Sequence, residues 1–295
     1  MDLINLCSSI ASRGYLWVQG AGGNVSEKRG GELWIKPSGF RLDEIQTQKD
    51  LACVDLEKIR KGLQLVGENE SEYSALLVRS QILQSHRPSM ETGFHAVLAE
   101  RLVAHFHSLI SVLIVQEYNE NPAAVRSWYK SYWQNYLGSL RVLPLKMPGL
   151  QLSLQLQGSI QDQVILLENH GVILQHSSNI ELDQFFEMEK DFCLQFNYPE
   201  AIEIIEGRVE LPEAAPIRFL FPDFAIVFDK LFPWLEQTPQ GFRPKPGISE
   251  SLGEIWQAHC FLSEVGRSLR ELPKSFIDQL VHLPTEKFRM MKDLK

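Results

Sequence analysis

VQGAGGNVSEKRGGELWIKPSG, residues 18–39, sets six glycines and one asparagine between an amphipathic opening and the strand-like "LWIK". Glycine clusters of this density commonly hold phosphate, and two such loops have sequence rules. A dinucleotide loop needs G-x-G-x-x-G after a strand, and a nucleoside-triphosphate loop needs Gly-Lys-Ser/Thr opening a helix. Neither rule is met. Gly20 and Gly22 supply two glycines, but Val25 stands at the third position, and the polar turn "SEKRGGE" and then a strand follow Asn24. The loop is therefore read as joining a helix in front to a strand behind. Asn24 can still present its side-chain amide and the neighbouring backbone N–H groups to an anion, because glycine admits close approach and positive φ. On this stretch alone, a tight turn with purely geometric glycines is the simpler reading.

Outward from the loop, Leu3, Ile4, Cys7 and Ile10 recur at helical spacing, which predicts an opening helix ending near Gly14. "ELWIK" and "LACVDL" read as short strands. Residues 71–86 are compatible with a helix, and Pro88-Ser89 stops it and caps another, "METGFHAVLAERL". "LVAHFHSLISVLIVQ" reads as a buried strand leading into a helix, and "PAAVRSWYKSYWQNYLGSL" as a helix with proline in its first turn. "QVILLENHGVILQ" reads as two strands joined at Asn169-His170-Gly171, and "NIELDQFFEMEKDFCLQF" as an amphipathic helix. The regular βαβ rhythm of a doubly wound fold is absent, so the expectation is a mixed, largely antiparallel sheet with helices on its faces. Beyond about Glu206 the texture changes. "ELPEAAPIRFLFPD" and "EQTPQGFRPKPGISE" read as proline-rich connectors and "LGEIWQAHCFLSEVGRSLREL" as one further helix. The division expected is a domain over residues 1–206 and a C-terminal extension, 207–295, packed on it.

The chain has 295 residues, 44% hydrophobic and 22% charged, which is ordinary soluble composition with enough length for a substantial core. A net charge of −8 and the lack of a basic block argue against a nucleic-acid backbone or an anionic membrane as partner. Cys7, Cys53, Cys193 and Cys260 are scattered without C-x-x-C pairing, which suggests neither a zinc knuckle nor a disulfide framework and fits a reducing cytoplasm. The N-terminus is a poor signal peptide, and no apolar run reaches membrane-spanning length.

Three of the eight histidines are placed as a metal would need them. His105 and His107 lie two apart in "VAHFHS", so on a strand both imidazoles point to one face. His170, in a turn at the end of another strand, could supply a third ligand. Three histidines leave a coordination position open, as catalytic zinc sites do, whereas structural sites close with four ligands. Glu91 precedes His95 by one helical turn, and a carboxylate near a divalent cation can serve as general acid/base. Each piece has an ordinary explanation taken singly: structural histidines, an acid in a helix's first turn, a common turn. Together, in this order, they are far more specific.

At this point the sequence resembles the class II aldolase/adducin family over roughly residues 5–200. "GAGGNVS" is similar to that family's Gly-Gly-Asn-x-Ser loop, "KPSG" to its Ser-Gly loop, "PSMETGFH" to its acid-bearing helix start, "AHFHS" to its paired ligands and "NHGV" to its third ligand. "LWIKPSGFRLDEI", "RPSMETGFHAVL" and "FPDFAIVF" look especially like the aldolase half of relatives fused to a short-chain dehydrogenase, with only that half and its tail expected here. The resemblance implies a three-layer α/β/α fold, a homotetramer with active sites between subunits, and one Zn2+ per chain held by His105, His107 and His170. It implies Glu91 as the residue that deprotonates the carbon beside the substrate carbonyl through a metal-stabilised enediolate, and Asn24, Ser38, Gly39 and Ser89 as the cradle for a phosphate or carboxylate. The activity implied is retro-aldol cleavage of a ketose phosphate or related sugar acid, in the cytoplasm, with a small-molecule partner. Epimerisation or dehydration at the same site, a non-catalytic adducin-like interaction module, and a regulatory subunit whose C-terminal extension covers the site are the alternatives. Met90 stands where many phosphosugar aldolases carry a second hydroxyl. Tyr118, Tyr129, Tyr132 and Tyr136 lie in the region where some members have a catalytic tyrosine, and "MPGLQLSLQLQGS" keeps Pro148 and Gly149 but is unusually rich in Leu and Gln.

Overall fold

The computed structural model describes residues 3–157, 161–266 and 269–283. Its centre is an eight-stranded sheet made of β1 Asn24–Arg29, β2 Glu32–Ile35, β3 Ala52–Asp55, β4 Gln81–Leu83, β5 Leu102–Phe106, β6 Leu140–Leu143, β7 Val164–Leu167 and β8 Gly171–His176. The strand order is β4-β3-β2-β1-β5-β8-β7-β6, and only β6 and β7 run parallel. This is the mixed, largely antiparallel sheet that the sequence predicts.

Side-chain alternation along the strands sets the layers. Leu102, Ala104 and Phe106 of β5, with Val164 and Leu166 of β7, join a core cluster with helices Leu3–Ala11, Leu109–Glu120 and Leu182–Gln195. Val103, Ile165 and Leu167 face the other way, against Phe94 of helix Thr92–Val97 and Leu152 of helix Leu150–Gln155. Helices Leu56–Leu65 and Glu70–Arg79 cover that second face nearer β2 and β3. The sheet is thus the middle of three layers, α/β/α.

Several boundaries differ from the sequence reading. "SEKRGGE" is no turn before the first strand: Asn24–Arg29 is itself β1, at the centre of the sheet. Its polar residues conceal it. Ser26 and Glu27 are buried because Ser26 Oγ meets His95 Nδ1 at 2.7 Å and Glu27 binds Arg29 and Arg101, partners that local apolar alternation cannot reveal. The helix expected over residues 71–86 stops at Arg79, and residues 81–83 become β4, whose backbone pairs with Cys53 and Val54. The helix expected in "METGFHAVLAERL" is confined to Thr92–Val97, since the chain must extend again to enter β5.

The segment after Glu206 holds more structure than connectors and one helix. It contains helices Pro222–Leu231, Glu250–Val265 and Lys274–Leu280, and a hairpin of β9 Leu235–Thr238 with β10 Gly241–Pro244 inside "EQTPQGFRPKPGISE". Phe224, Trp256 and Phe261 belong to the same core cluster as Leu3, Trp17, Phe106 and Phe192. All four cysteines are buried, and none is in a disulfide. Among the described residues no helix is long and apolar enough to cross a membrane.

Candidate metal centre and anion cleft

The site forms where the end of β5, the start of β1 and the β7–β8 turn meet. Antiparallel register places His105 opposite Asn24 on one side and Ile173 on the other. β5 ends at Phe106, so His107 is the first residue past it, yet the spacing still brings the two rings together with centroids 5.0 Å apart. His170 sits in the β7–β8 turn behind Asn169, whose φ of 56° is the left-handed conformation that Asn tolerates. Its ring lies 4.8 Å from that of His105 and 5.0 Å from that of His107. One ligand nitrogen from each of the three buried histidines lies within 4.8 Å of the others.

A hydrogen bond fixes how one of these rings faces the site, and close packing constrains a second. His105 Nδ1 lies 2.9 Å from the Val172 carbonyl, which can only accept, so the proton is on Nδ1 and the lone pair on Nε2. Burial lowers the His105 pKa, which favours the neutral, ligand-competent imidazole. Gly22 lines the Nδ1 edge of His107 so closely that a methyl group there would come 2.8 Å from Nδ1. The glycine loop therefore owes part of its composition to the histidine it wraps, which reconciles its geometric and functional readings.

Glu91 caps helix Thr92–Val97 at 5% exposure. Its Oε2 accepts from Asn24 Nδ2 at 2.5 Å, which turns Oε1 toward the histidines, 3.5 Å from His105 Nε2 and 3.7 Å from His170 Nε2. His105 Nε2, His107 Nε2 and Glu91 Oε1 are all buried without a hydrogen-bond partner. Leaving such groups unsatisfied costs about 1–3 kcal/mol apiece, and more for a charged one. These are acceptors without a donor, so a cation is what satisfies them together. Imidazole nitrogen with carboxylate oxygen is a donor set suited to a zinc-like divalent ion. The residues present fit such a metal.

Asn24, Ser38, Gly39 and Ser89 line one cleft together with Glu91, His107 and His170, so the expected site residues are gathered in one place, with His105 joining from the histidine cluster. Asn24 has a job the sequence did not suggest, since its amide donates to Glu91. Ser89 Oγ accepts from the Glu91 backbone N–H at 3.2 Å. Met90 also lines the cleft. Tyr129 donates its hydroxyl to Gly138 O, Tyr118 accepts from Arg126, and Tyr132 and Tyr136 are exposed, so none of these tyrosines lines the cleft. Within "MPGLQLSLQLQGS", Pro148 lines the cleft, whereas Leu150 and Leu152 pack into the core; Gly158 and Ser159 lie outside the described residues.

Two charged cleft residues escaped the sequence reading. Lys36 is 1% exposed, and its Nζ donates to Ala21 O at 3.0 Å and Phe40 O at 2.6 Å, stapling the glycine loop to the turn after "KPSG" and placing a cation beside Ser38. A lysine directly ahead of Pro-Ser-Gly was the available signal. Asp223, also 1% exposed, reaches the cleft from helix Pro222–Leu231. In sequence it looks like any acid in a helix's first turn.

The model of the class II aldolase and adducin N-terminal domain matches residues 1–187. No curated protein matches the chain. Similar solved structures include the N-terminal class II aldolase domain of a conserved protein from Thermoplasma acidophilum, at 21% identity, covering 59% of this chain and 82% of that one with a TM-score of 0.47. An L-fuculose 1-phosphate aldolase is similar at 15% identity, covering 70% and 93%, with a TM-score of 0.44. The L-fuculose-1-phosphate aldolase of Thermus thermophilus is similar at 18% identity, covering 64% and 84%, with a TM-score of 0.39.

Proposed function

The chain belongs to the class II aldolase and adducin family, and we propose that it is a zinc-dependent lyase that cleaves a ketose phosphate or related sugar acid by a retro-aldol reaction. The observation that carries this reading is the turn of Glu91 Oε1, free of hydrogen bonds, toward His105 Nε2 and His170 Nε2 at 3.5 and 3.7 Å. His105, His107 and His170 would hold the ion, which when bound supplies Lewis-acid polarisation of a carbonyl and neutralises developing negative charge.

Every other part of the chemistry falls to the chain's own residues. Asn24 holds Glu91 by Oε2, so the proton is exchanged at Oε1. In cleavage Glu91 takes the proton of the hydroxyl whose carbon becomes the aldehyde and, after the carbon–carbon bond has broken, delivers it to the carbon beside the carbonyl; condensation runs the same two transfers in reverse. The Ser38 and Ser89 hydroxyls, the backbone around Gly39 and the buried Lys36 provide donors and positive charge for a phosphate or carboxylate. The low exposure of Glu91 and the histidines keeps bulk water from the reacting atoms. We assign the domain to residues 1–206 with 207–295 packed on it, and a homotetramer as the assembly.

The test is turnover of a panel of ketose 1-phosphates, followed by release of the triose phosphate. Glu91→Gln should retain metal and lose at least about a hundredfold in kcat, the scale of a missing general acid/base. Full activity in that variant would remove Glu91 from the proton transfer.

A further inference from the structure

We propose that Asp223 is a positioning residue for the metal centre: its carboxylate holds the Nδ1 proton of His107 and so commits Nε2 of that ring to the ion. Asp223 lies beyond the 1–187 segment that matches the family model. The proposal rests on the assignment of His107 as a metal ligand.

Oδ2 of Asp223 is in direct contact with Nδ1 of His107. An anionic oxygen and a nitrogen lone pair would repel at that separation, so the contact requires a proton between them, which the more basic imidazole keeps on Nδ1. Gly22 also abuts this edge, where even a methyl group would stand 2.8 Å from Nδ1. With Gly22 and Asp223 both against the Nδ1 edge, the buried Nε2 is the nitrogen left for the site. A helix's first turn favours an acid on electrostatic grounds, which accounts for the residue type. It does not account for a carboxylate at 1% exposure aimed at an imidazole, because a buried carboxylate is costly unless it is paired.

A second brace of the same origin supports the third histidine. Asn169 Nδ2, beside His170, donates to Leu220 O at 2.8 Å and Arg270 O at 3.1 Å. A carboxylate placed as Asp223 is, on the outer nitrogen of a metal-bound histidine, orients the ring and raises its basicity, and loss of such a partner typically costs 10–100-fold in affinity.

The experiment pairs two measurements on full-length Asp223→Asn and Asp223→Leu. The first is the tautomer of His107 in the metal-free protein, read from 15N-histidine NMR with His107→Gln for assignment. The second is Co2+ affinity, titrated by the visible bands of the bound ion. We expect an Nδ1–H tautomer in the parent protein, retained in Asp223→Asn, whose amide oxygen still accepts, and lost in Asp223→Leu. Co2+ affinity should fall about 10–100-fold in Asp223→Leu and by less in Asp223→Asn. An unchanged His107 tautomer in Asp223→Leu, or affinities in both variants within about twofold of the parent, would overturn the proposal. Asp223→Asn, nearly isosteric, decides the affinity arm if Asp223→Leu does not fold. If the parent protein bound no Co2+, the metal reading itself would fail, while the NMR result would still judge the Asp223–His107 pair.

Discussion

Gly22 sits against His107 with no volume to spare. Gly22→Ala is therefore expected to displace the imidazole or the loop, lowering stability by about 1–3 kcal/mol, the usual cost of overpacking, and weakening metal binding with it. Urea unfolding and metal titration of the variant check both, and a protein with unchanged midpoint and affinity would show that the contact relaxes freely. The histidines and Glu91 could be picked out of the sequence because their chemistry is rare and their spacing is stereotyped. Asp223 could not, since an acid in a first turn is an ordinary residue until burial shows where it points, and Lys36 offered only its place ahead of Pro-Ser-Gly. Asn24 was legible as a site residue, but its bond to Glu91 depends on β1 lying beside β5, which no local pattern contains.

Helix Leu182–Gln195 shows how an element can carry a cost that its amphipathic pattern hides. Glu189 on it is fully buried, accepting from Trp17 Nε1 at 2.7 Å, from Ser111 Oγ at 3.1 Å and from Ser108 Oγ. Burial outweighs these donors and the nearby Arg13 and pushes the carboxyl from 4.5 up to about 7. The folded protein then binds this proton more tightly than the unfolded chain does. Its stabilising effect is complete below about pH 4.5 and declines as the pH rises to about 7, by about 3 kcal/mol in all. Glu189→Gln should remove that decline, so the difference in melting temperature between parent and variant should change in sign or size across this window. Parallel profiles would mean that Glu189 does not titrate there. Elements with a regular apolar period, such as this helix or the β7–β8 pair, were legible in sequence. β1 was not, because its buried Ser26 and Glu27 are satisfied by residues far along the chain, and β4 was not, because pairing with β3 overrides local helix preference.

Across the whole molecule, the change in texture near Glu206 is real in sequence but does not divide the core. Phe224, Trp256 and Phe261 share one cluster with Leu3, Trp17 and Phe106. Glu254 reaches the glycine loop by accepting from Gly20 N at 2.9 Å, and it holds Arg41 through two contacts of 2.9 Å each. Deleting residues 207–295 should therefore expose a large apolar face and abolish cooperative unfolding, as dye binding and a thermal scan would report. A truncated protein that melts sharply would show that the first segment folds alone. Prolines and short apolar runs made the region look like connectors, because its hairpin and helices gain their stability from a core lying mostly earlier in the chain.

The proposed chemistry turns on a metal at His105, His107 and His170. The most direct measurement is elemental analysis of the purified protein, without added metal or chelator, beside a His105→Ala/His170→Ala control. The expected result is about one zinc ion per chain, as in a site of three histidines with an open position, and none in the control. A protein that holds no transition metal even after reconstitution would contradict the account and leave a fold without its chemistry.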